Sequence, residues 1–388
     1  LLKINKEETV MGSDNTQILS IDSLHLSNFR NYVSLRLDDL ASTPIVITGP
    51  NGAGKTNILE AISLFTPGKG IRGAKLEDMS HKAELHHANS WSITGEVEGI
   101  KGKSVISTFK PADSNKRVIS IDGNTARTHN ELSNLMSIIW LTPQMDQIFI
   151  SSASTRRKFL DRLVYSFDGE HAKRVANYEF FMRERIKLLK RDRLDLEWIS
   201  VVERKMAEFA IAIAVARVQI IEYLQNEIDN FISPFPKAII SIKGSIENKV
   251  IGNPALQLEE EYKQGLLKNR GIDAQTGRTS IGVHKTDLKV VHAIKSMEAG
   301  YCSTGEQKTL LVCMILASAR MTIKKRSYVP VLLLDEVIAH LDEDRRAFLL
   351  DDIRRIKAQA WLTGTDLSVF SSLKNHATFF QVEGAKLR

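Results

Sequence analysis

Cysteine is scarce in this 388-residue chain: Cys302 and Cys313 are the only two, with neither paired spacing nor histidines around them. That excludes a disulfide framework and a thiolate zinc site, and a reducing cytosol fits best, so a cytoplasmic location is expected. Long apolar runs are missing too. The most lipophilic stretch, Phe209 to Val215, is short and bounded by Glu208 and Arg217, far below the roughly 18–20 apolar residues that cross a bilayer. No membrane partner is expected. There is no internal repeat, no low-complexity tract, and aromatic residues make up only 7% of the chain. The polar stretch Leu1 to Gln17, which contains Met11, has no apolar signal core and is expected to be an extension outside the fold.

What is present is a 43% hydrophobic fraction and a formal net charge of +7. The first is that of a folded soluble protein, with length enough for two domains or one domain with a large insertion. The second favours an anionic partner without separating nucleic acid from other anions.

The sharpest motif is Gly49-Pro50-Asn51-Gly52-Ala53-Gly54-Lys55-Thr56, followed by Asn57. It stands between the apolar strand Ile45 to Ile47 and a helical pattern from Ile58. Glycines let backbone N–H groups turn inward around a phosphate, a lysine neutralises the terminal phosphates, and a following hydroxyl ligates magnesium. ATP and Mg²⁺ are therefore the expected cofactors. Almost a whole chain away, Val331 to Leu334 reads as a buried parallel strand that ends in Asp335-Glu336. Asp335 is the expected magnesium ligand and Glu336 the expected general base, while Lys55 and Thr56 serve from the loop side.

Between the two motifs the character of the chain changes. Residues 18–150 are strand-rich, with alternation over Ile18 to Leu26 and Tyr32 to Leu40, and Asp122-Gly123 as a hairpin turn. Residues 151–288 carry long helical periodicity over Arg156 to Ser166, His171 to Lys190 and Leu196 to Phe231. A short strand at Ala238 to Lys243, a helix at Leu256 to Asn269 and a polar loop at Asp273 to Gly282 follow. Residues 289–388 return to strand and helix alternation. The expectation is an α/β nucleotide-binding domain, 18–150 plus 289–388, split by a mainly helical insertion. The helices of the insertion bear Arg156, Arg157, Lys158, Arg162, Lys173, Arg174, Arg183, Arg185, Lys187, Lys190, Arg191 and Arg193. Two readings stay open for these cations: a solvated helix face, or a phosphate-contacting surface.

Cys302-Ser303-Thr304-Gly305-Glu306-Gln307-Lys308 precedes a strong helix, Thr309 to Met321. Alone it reads as a helix cap. Together with the loop, the acidic strand and the following Ala339-His340-Leu341-Asp342, it resembles the signature motif of ATP-binding-cassette ATPases. More narrowly, Phe29-Arg30-Asn31-Tyr32, Arg156-Arg157-Lys158-Phe159-Leu160-Asp161 and the run from Leu333 through Asp342 to Arg345 and Leu349 resemble the RecF family of SMC-like ATPases.

That resemblance implies a head-to-tail dimer with Ser303, Gly305 and Gln307 contacting a nucleotide held by the other copy. It implies Arg30 as a phosphate contact, Thr365 as a phosphate- or water-orienting hydroxyl, and Gln144 as a magnesium-sensing residue. It further implies weak ATP hydrolysis used as a switch, binding to gapped or junction DNA, and cooperation with RecR, RecO and RecA. Gly282-Val283-His284-Lys285-Thr286-Asp287-Leu288 departs from the Gly-Pro-His-Arg-Asp-Asp-Leu usual in that family; His284 is expected to be a satisfied structural histidine. An alternative is a chromosome-organising or nuclease-partner ATPase of the SMC and Rad50 group. The short insertion and the missing cysteine pair speak against it.

Overall fold

A computed structural model describes residues 16–387 apart from 84, 85 and 192; most of the expected N-terminal extension lies outside them. Gln17 is already part of the fold. It pairs in a short parallel bridge with Tyr328, and its side-chain amide donates to the Gly99 carbonyl at 2.7 Å.

The chain forms two compact units. One takes the residues up to Pro143 together with Ala319–Arg388; the other is Gln144–Ser318. The second unit is wider than the 151–288 expected from composition. Part of the cause is strand pairing: Asp287–His292 runs antiparallel to Ala238–Lys243 over six positions, from Ala238↔His292 to Lys243↔Asp287. A strand that resembled the restart of the nucleotide domain thus completes the sheet of the helical unit.

The first unit contains two six-stranded sheets. One is antiparallel and is built from Ser20–Phe29, Tyr32–Leu37, Trp91–Gly99, Gly102–Lys110, Val118–Ile121 and Asn124–Thr125. Within it, Trp91–Gly99 alternates buried positions with more accessible ones throughout. The other runs in the order Ile138–Leu141, Val331–Leu334, Ala360–Gly364, Ile45–Thr48, Thr378–Glu383, Lys386–Leu387, parallel except for its last pair. Every residue of Ile45–Thr48, Ile138–Leu141, Val331–Leu334 and Ala360–Gly364 is buried, the signature of strands covered on both faces.

Gln359 joins the two sheets. Its buried amide accepts from the Ile21 N–H at 2.9 Å and donates to the carbonyls of Ile21 at 3.0 Å and Ala41 at 2.9 Å.

The second unit is organised around Leu196–Asn230, a 35-residue helix capped by the Asp195 carboxylate, which accepts from the Trp198 N–H. It packs with His171–Leu189 and Ala255–Lys268 around Tyr178, Ile199, Val202, Met206, Ala210 and Leu266. The expected polar loop at Asp273 to Gly282 is partly helical: Arg270–Thr276 forms two turns that end at Gly277 in the left-handed region. Among the described residues no helix is long and apolar enough to cross a membrane, and both cysteines are buried and outside any disulfide.

Candidate functional site

Strand, loop and helix follow in the order that the motif requires. Ile45–Thr48 carries the chain to the carboxyl edge of the parallel sheet, where ligands of such sheets bind. Gly49 to Gly54 turn back, and Lys55–Ser63 begins a helix whose N-terminal N–H groups face the loop. Two glycines are obligatory here. At Gly49 (φ +149°) a Cβ would collide with the Val382 carbonyl, and at Gly54 (φ +116°) it would meet the Asn31 amide at 2.5 Å and the Tyr32 hydroxyl at 2.6 Å.

Asn31 braces the loop from outside. Its side-chain nitrogen donates to the Ala53 carbonyl at 2.9 Å, and its oxygen accepts from the Asn57 amide at 2.6 Å. Asn57 in turn accepts from Arg72 at 2.6 Å. The ammonium of Lys55 is folded into its own loop, donating to the carbonyls of Gly49 at 2.7 Å and Pro50 at 3.0 Å. Burial lowers the Lys55 pKa, opposed by the carboxylates of Glu336 and Asp335. Pro50, Asn51 and Gly52 are exposed at the loop tip.

The parallel sheet closes the long sequence gap between the two halves of the site. Thr56 Oγ1 lies 3.0 Å from each carboxylate oxygen of Asp335. Thr363, at the end of the neighbouring strand, donates its hydroxyl to Asp335 Oδ1 at 2.7 Å and accepts from the Glu336 N–H at 2.9 Å. One hydroxyl therefore positions both acids of the pair. Asp335 is only 4% exposed, and burial raises its pKa above the ordinary carboxylate value, partly offset by these two hydroxyls. Glu336 takes a left-handed backbone conformation, φ +52°, sparsely populated by a side-chain-bearing residue and common at functional turns.

Several expected contacts sit differently. Arg30 is bound bidentately to the buried carboxylate of Glu60, at 2.8 and 2.5 Å, and also donates to the Asp78 carbonyl. Arg72 shares Glu60 at 3.0 Å. Glu60 thus holds two guanidiniums behind the loop helix, a feature that the sequence does not signal. Thr365 is exposed beyond the end of its strand, and Thr363 is the hydroxyl on the acid pair.

Ser303, Gly305, Gln307 and Gln144 belong to the second unit. Ser303 caps the helix Thr304–Arg326 in reciprocal fashion with Glu306: its N–H and hydroxyl each donate to that carboxylate at 3.0 Å. Lys295 pairs with the same carboxylate, and its hydrogen bond, followed by those from Ser303, holds the Glu306 pKa at about 2. Gly305 is exposed, with open space where a Cβ would stand. Gln307 is buried and donates to the Cys302 carbonyl at 2.8 Å, so its amide secures the approach to the helix. Gln144 lies exposed in the 3-10 turn Pro143–Gln147.

A phosphate loop at the carboxyl edge of a parallel sheet, with its threonine against the aspartate of an adjoining acidic strand, defines a P-loop ATPase head. Residues 20–386 match the RecF/RecN/SMC N-terminal domain family model. The chain is 43% identical over 371 residues to the DNA replication and repair protein RecF of Agrobacterium fabrum, covering 95% of this chain and 98% of that one. It is 41% identical over 362 residues to that of Rickettsia prowazekii, covering 93% and 99%. It belongs to the RecF family. In fold it is similar to the recombination mediator protein RecF-ATP in the RecFOR pathway, with a TM-score of 0.83, 23% identity, and 97% and 99% of the two chains covered. It is also similar to an Smc head domain from Pyrococcus furiosus bound to the C-terminal domain of ScpA, with a TM-score of 0.56, 15% identity, and 96% of each chain covered.

Proposed function

We propose that this chain is an ATP-dependent DNA-binding protein of recombinational repair. Two copies close around ATP on gapped or junction DNA, reopen on slow hydrolysis, and help RecR and RecO load the recombinase RecA. The observation that carries the reading is the convergence of Thr56 and Thr363 on Asp335, with Glu336 fixed beside it by the same hydroxyl.

The residues fit both cofactors. A loop of inward N–H groups and a buried lysine suit the phosphates, and a hydroxyl with a buried carboxylate against it suits a hard divalent cation. Bound Mg²⁺ would neutralise charge on the terminal phosphates. Lys55 would exchange the Gly49 and Pro50 carbonyls for phosphate oxygens, and Asp335 would present an oriented carboxylate. Glu336 would hold the attacking water and accept its proton. Ser303 and Gly305, exposed at the start of a 23-residue helix, would supply the second half of the site in another copy. The longest helix of the second unit, 35 residues, does not make the long coiled-coil arm of the SMC and Rad50 alternative.

The test is the molar mass in solution of wild type and Glu336→Gln, with ATP and Mg²⁺, with and without gapped DNA. The substitution is expected to trap a dimer that wild type forms transiently. A monomer under every condition would sink the sandwich model.

A further inference from the structure

The second unit carries a concave pocket of about 870 Å³ that shares no residue with the nucleotide site. Its apolar surface comes from Met182 and Ile186, whose other faces pack on the core of the unit, and from Ile272, which is 56% exposed. Around this surface stand Arg183, Lys187, Arg278 and Lys285, all exposed. Among the described residues that line it there is no carboxylate.

Among the described residues, Arg183 and Lys187 pair only with acids of their own helix, Glu179 at 3.7 Å and Glu184 at 2.7 Å, exposed pairs of the kind that is readily exchanged. No carboxylate of the described residues lies within ion-pair distance of Arg278 or Lys285. Between these cations Thr279 is only 4% exposed, yet its hydroxyl has no hydrogen-bond partner, and neither has that of Ser280. Both oxygens are themselves shut off from solvent, so what the pocket presents to a ligand is its apolar floor and its cations.

The wall that carries them is held in place. The Ser280 N–H donates to Asp273 at 2.9 Å, and the His284 ring sits between the Thr279 carbonyl at 2.9 Å and the Tyr178 hydroxyl at 2.8 Å. His284 is thereby a satisfied structural histidine, and Lys285 beside it lines the pocket.

We propose that this pocket is a docking site for an acidic peptide segment of a protein partner. An aliphatic side chain of the segment seats on Met182, Ile186 and Ile272, while its carboxylates meet the four cations. The pocket has the size of a ligand cleft, and it combines an apolar anchor site with a single sign of charge, as peptide-recognition grooves do. Single-stranded nucleic acid would share the charge but not the rest: no Phe, Tyr or Trp lines the pocket to stack a base, the His284 ring already lies against the Tyr178 ring, and an apolar floor gives nothing to phosphates.

The experiment is fluorescence anisotropy on the full chain without nucleotide, which keeps it independent of the ATPase reading. Three labelled probes are compared: a short peptide alternating glutamate and leucine, the same peptide with serine for leucine, and a single-stranded oligonucleotide of equal charge. The variants are Arg278→Glu with Lys285→Glu, and Ile272→Asp, all at exposed positions and checked by an unchanged thermal midpoint. Saturable binding of the leucine peptide is expected, weakened at least tenfold by either variant and by the serine exchange, with the oligonucleotide unable to displace it. Equal affinity in wild type and both variants, or no saturable binding, would overturn the proposal. Loss in the double charge reversal alone would also overturn it, by reducing the pocket to nonspecific attraction. Competitive displacement by the oligonucleotide would make it a nucleic-acid site instead.

Discussion

Thr363 shows how a single hydroxyl sets the chemistry of two acids. It donates to Asp335 and accepts from the backbone of Glu336, so its removal frees the proposed general base and takes a donor from the proposed magnesium ligand. Partners that orient a metal ligand typically contribute tenfold to a hundredfold, so Thr363→Val should lower ATP turnover by about that factor while nucleotide affinity changes little. Steady-state hydrolysis beside equilibrium nucleotide titration separates the two; equal loss in both would mean that Thr363 merely supports the loop. Asp335 permits a second test at this scale. Its folded pKa is raised by burial, so stability without nucleotide is fullest below the ordinary carboxylate value and is lost as pH rises through the raised one. At neutral pH the charged carboxylate costs stability, and Asp335→Asn should raise the thermal midpoint of the nucleotide-free protein while abolishing magnesium-dependent hydrolysis. The gain in midpoint should shrink as pH falls to about 4; a midpoint below that of wild type at pH 7 would contradict the assignment. The phosphate loop and acid pair were legible in sequence because their spacing has a direct physical reading. Thr363 was not: it and Thr365 flank one glycine, and only the register of the strand decides which is buried against the aspartate.

At the scale of elements, strands and helices follow the hydrophobic periodicity closely, and the departures come from partners distant in sequence. Nothing local to Asp287–His292 says that it pairs with Ala238–Lys243. The same holds for the basic helices, where twelve cations looked alike. Arg156 is held by Asp287 at 2.7 and 2.8 Å, Arg157 donates to the Thr286 carbonyl, and Arg185 is buried between Glu203 at 2.8 Å and Asp273 at 2.7 Å. The second buried centre is Arg217, from the long helix, which binds both oxygens of Asp161 at 2.9 Å, Glu247 at 3.0 Å and the Val283 carbonyl at 2.7 Å. Removing this one cation strands two buried carboxylates, so Arg217→Leu should cost about 3–5 kcal/mol, read as a lower urea midpoint of the second unit. Burial alone would raise the Asp161 pKa, but Arg217 first and His171 second outweigh it and leave the value at about 2. With its folded pKa depressed, Asp161 contributes stability above the ordinary value of roughly 3.9 and loses it as pH falls toward 2. In Arg217→Leu the acid-unfolding midpoint should therefore move upward; an unchanged acid midpoint would show that the network is energetically idle.

For the whole molecule, the net charge of +7 favours an anionic partner, and the insertion helices can be searched for its contacts once their cations held by internal partners are set aside. Of the twelve on the insertion helices, Lys158, Lys173, Arg183, Lys187, Lys190, Arg191 and Arg193 remain exposed. Arg183 and Lys187 line the apolar-floored pocket, which leaves Lys190, Arg191 and Arg193 grouped in the turn between His171–Leu189 and Leu196–Asn230, interspersed in sequence with Asp192 and Asp195. Flexible exposed cations of this kind suit phosphate contacts, which position a duplex or strand without reading its bases. Every phosphate that a cation ceases to neutralise takes about 0.7–0.9 from the slope of log affinity against log salt. Replacing Lys190, Arg191 and Arg193 together by glutamine should therefore reduce that slope by about 2–3 for gapped DNA, weaken binding to unrelated sequences alike, and leave DNA-free ATP hydrolysis unchanged. An unaltered salt slope would move the DNA-facing surface off this turn, and weakening confined to one sequence would point to base recognition in place of phosphate neutralisation.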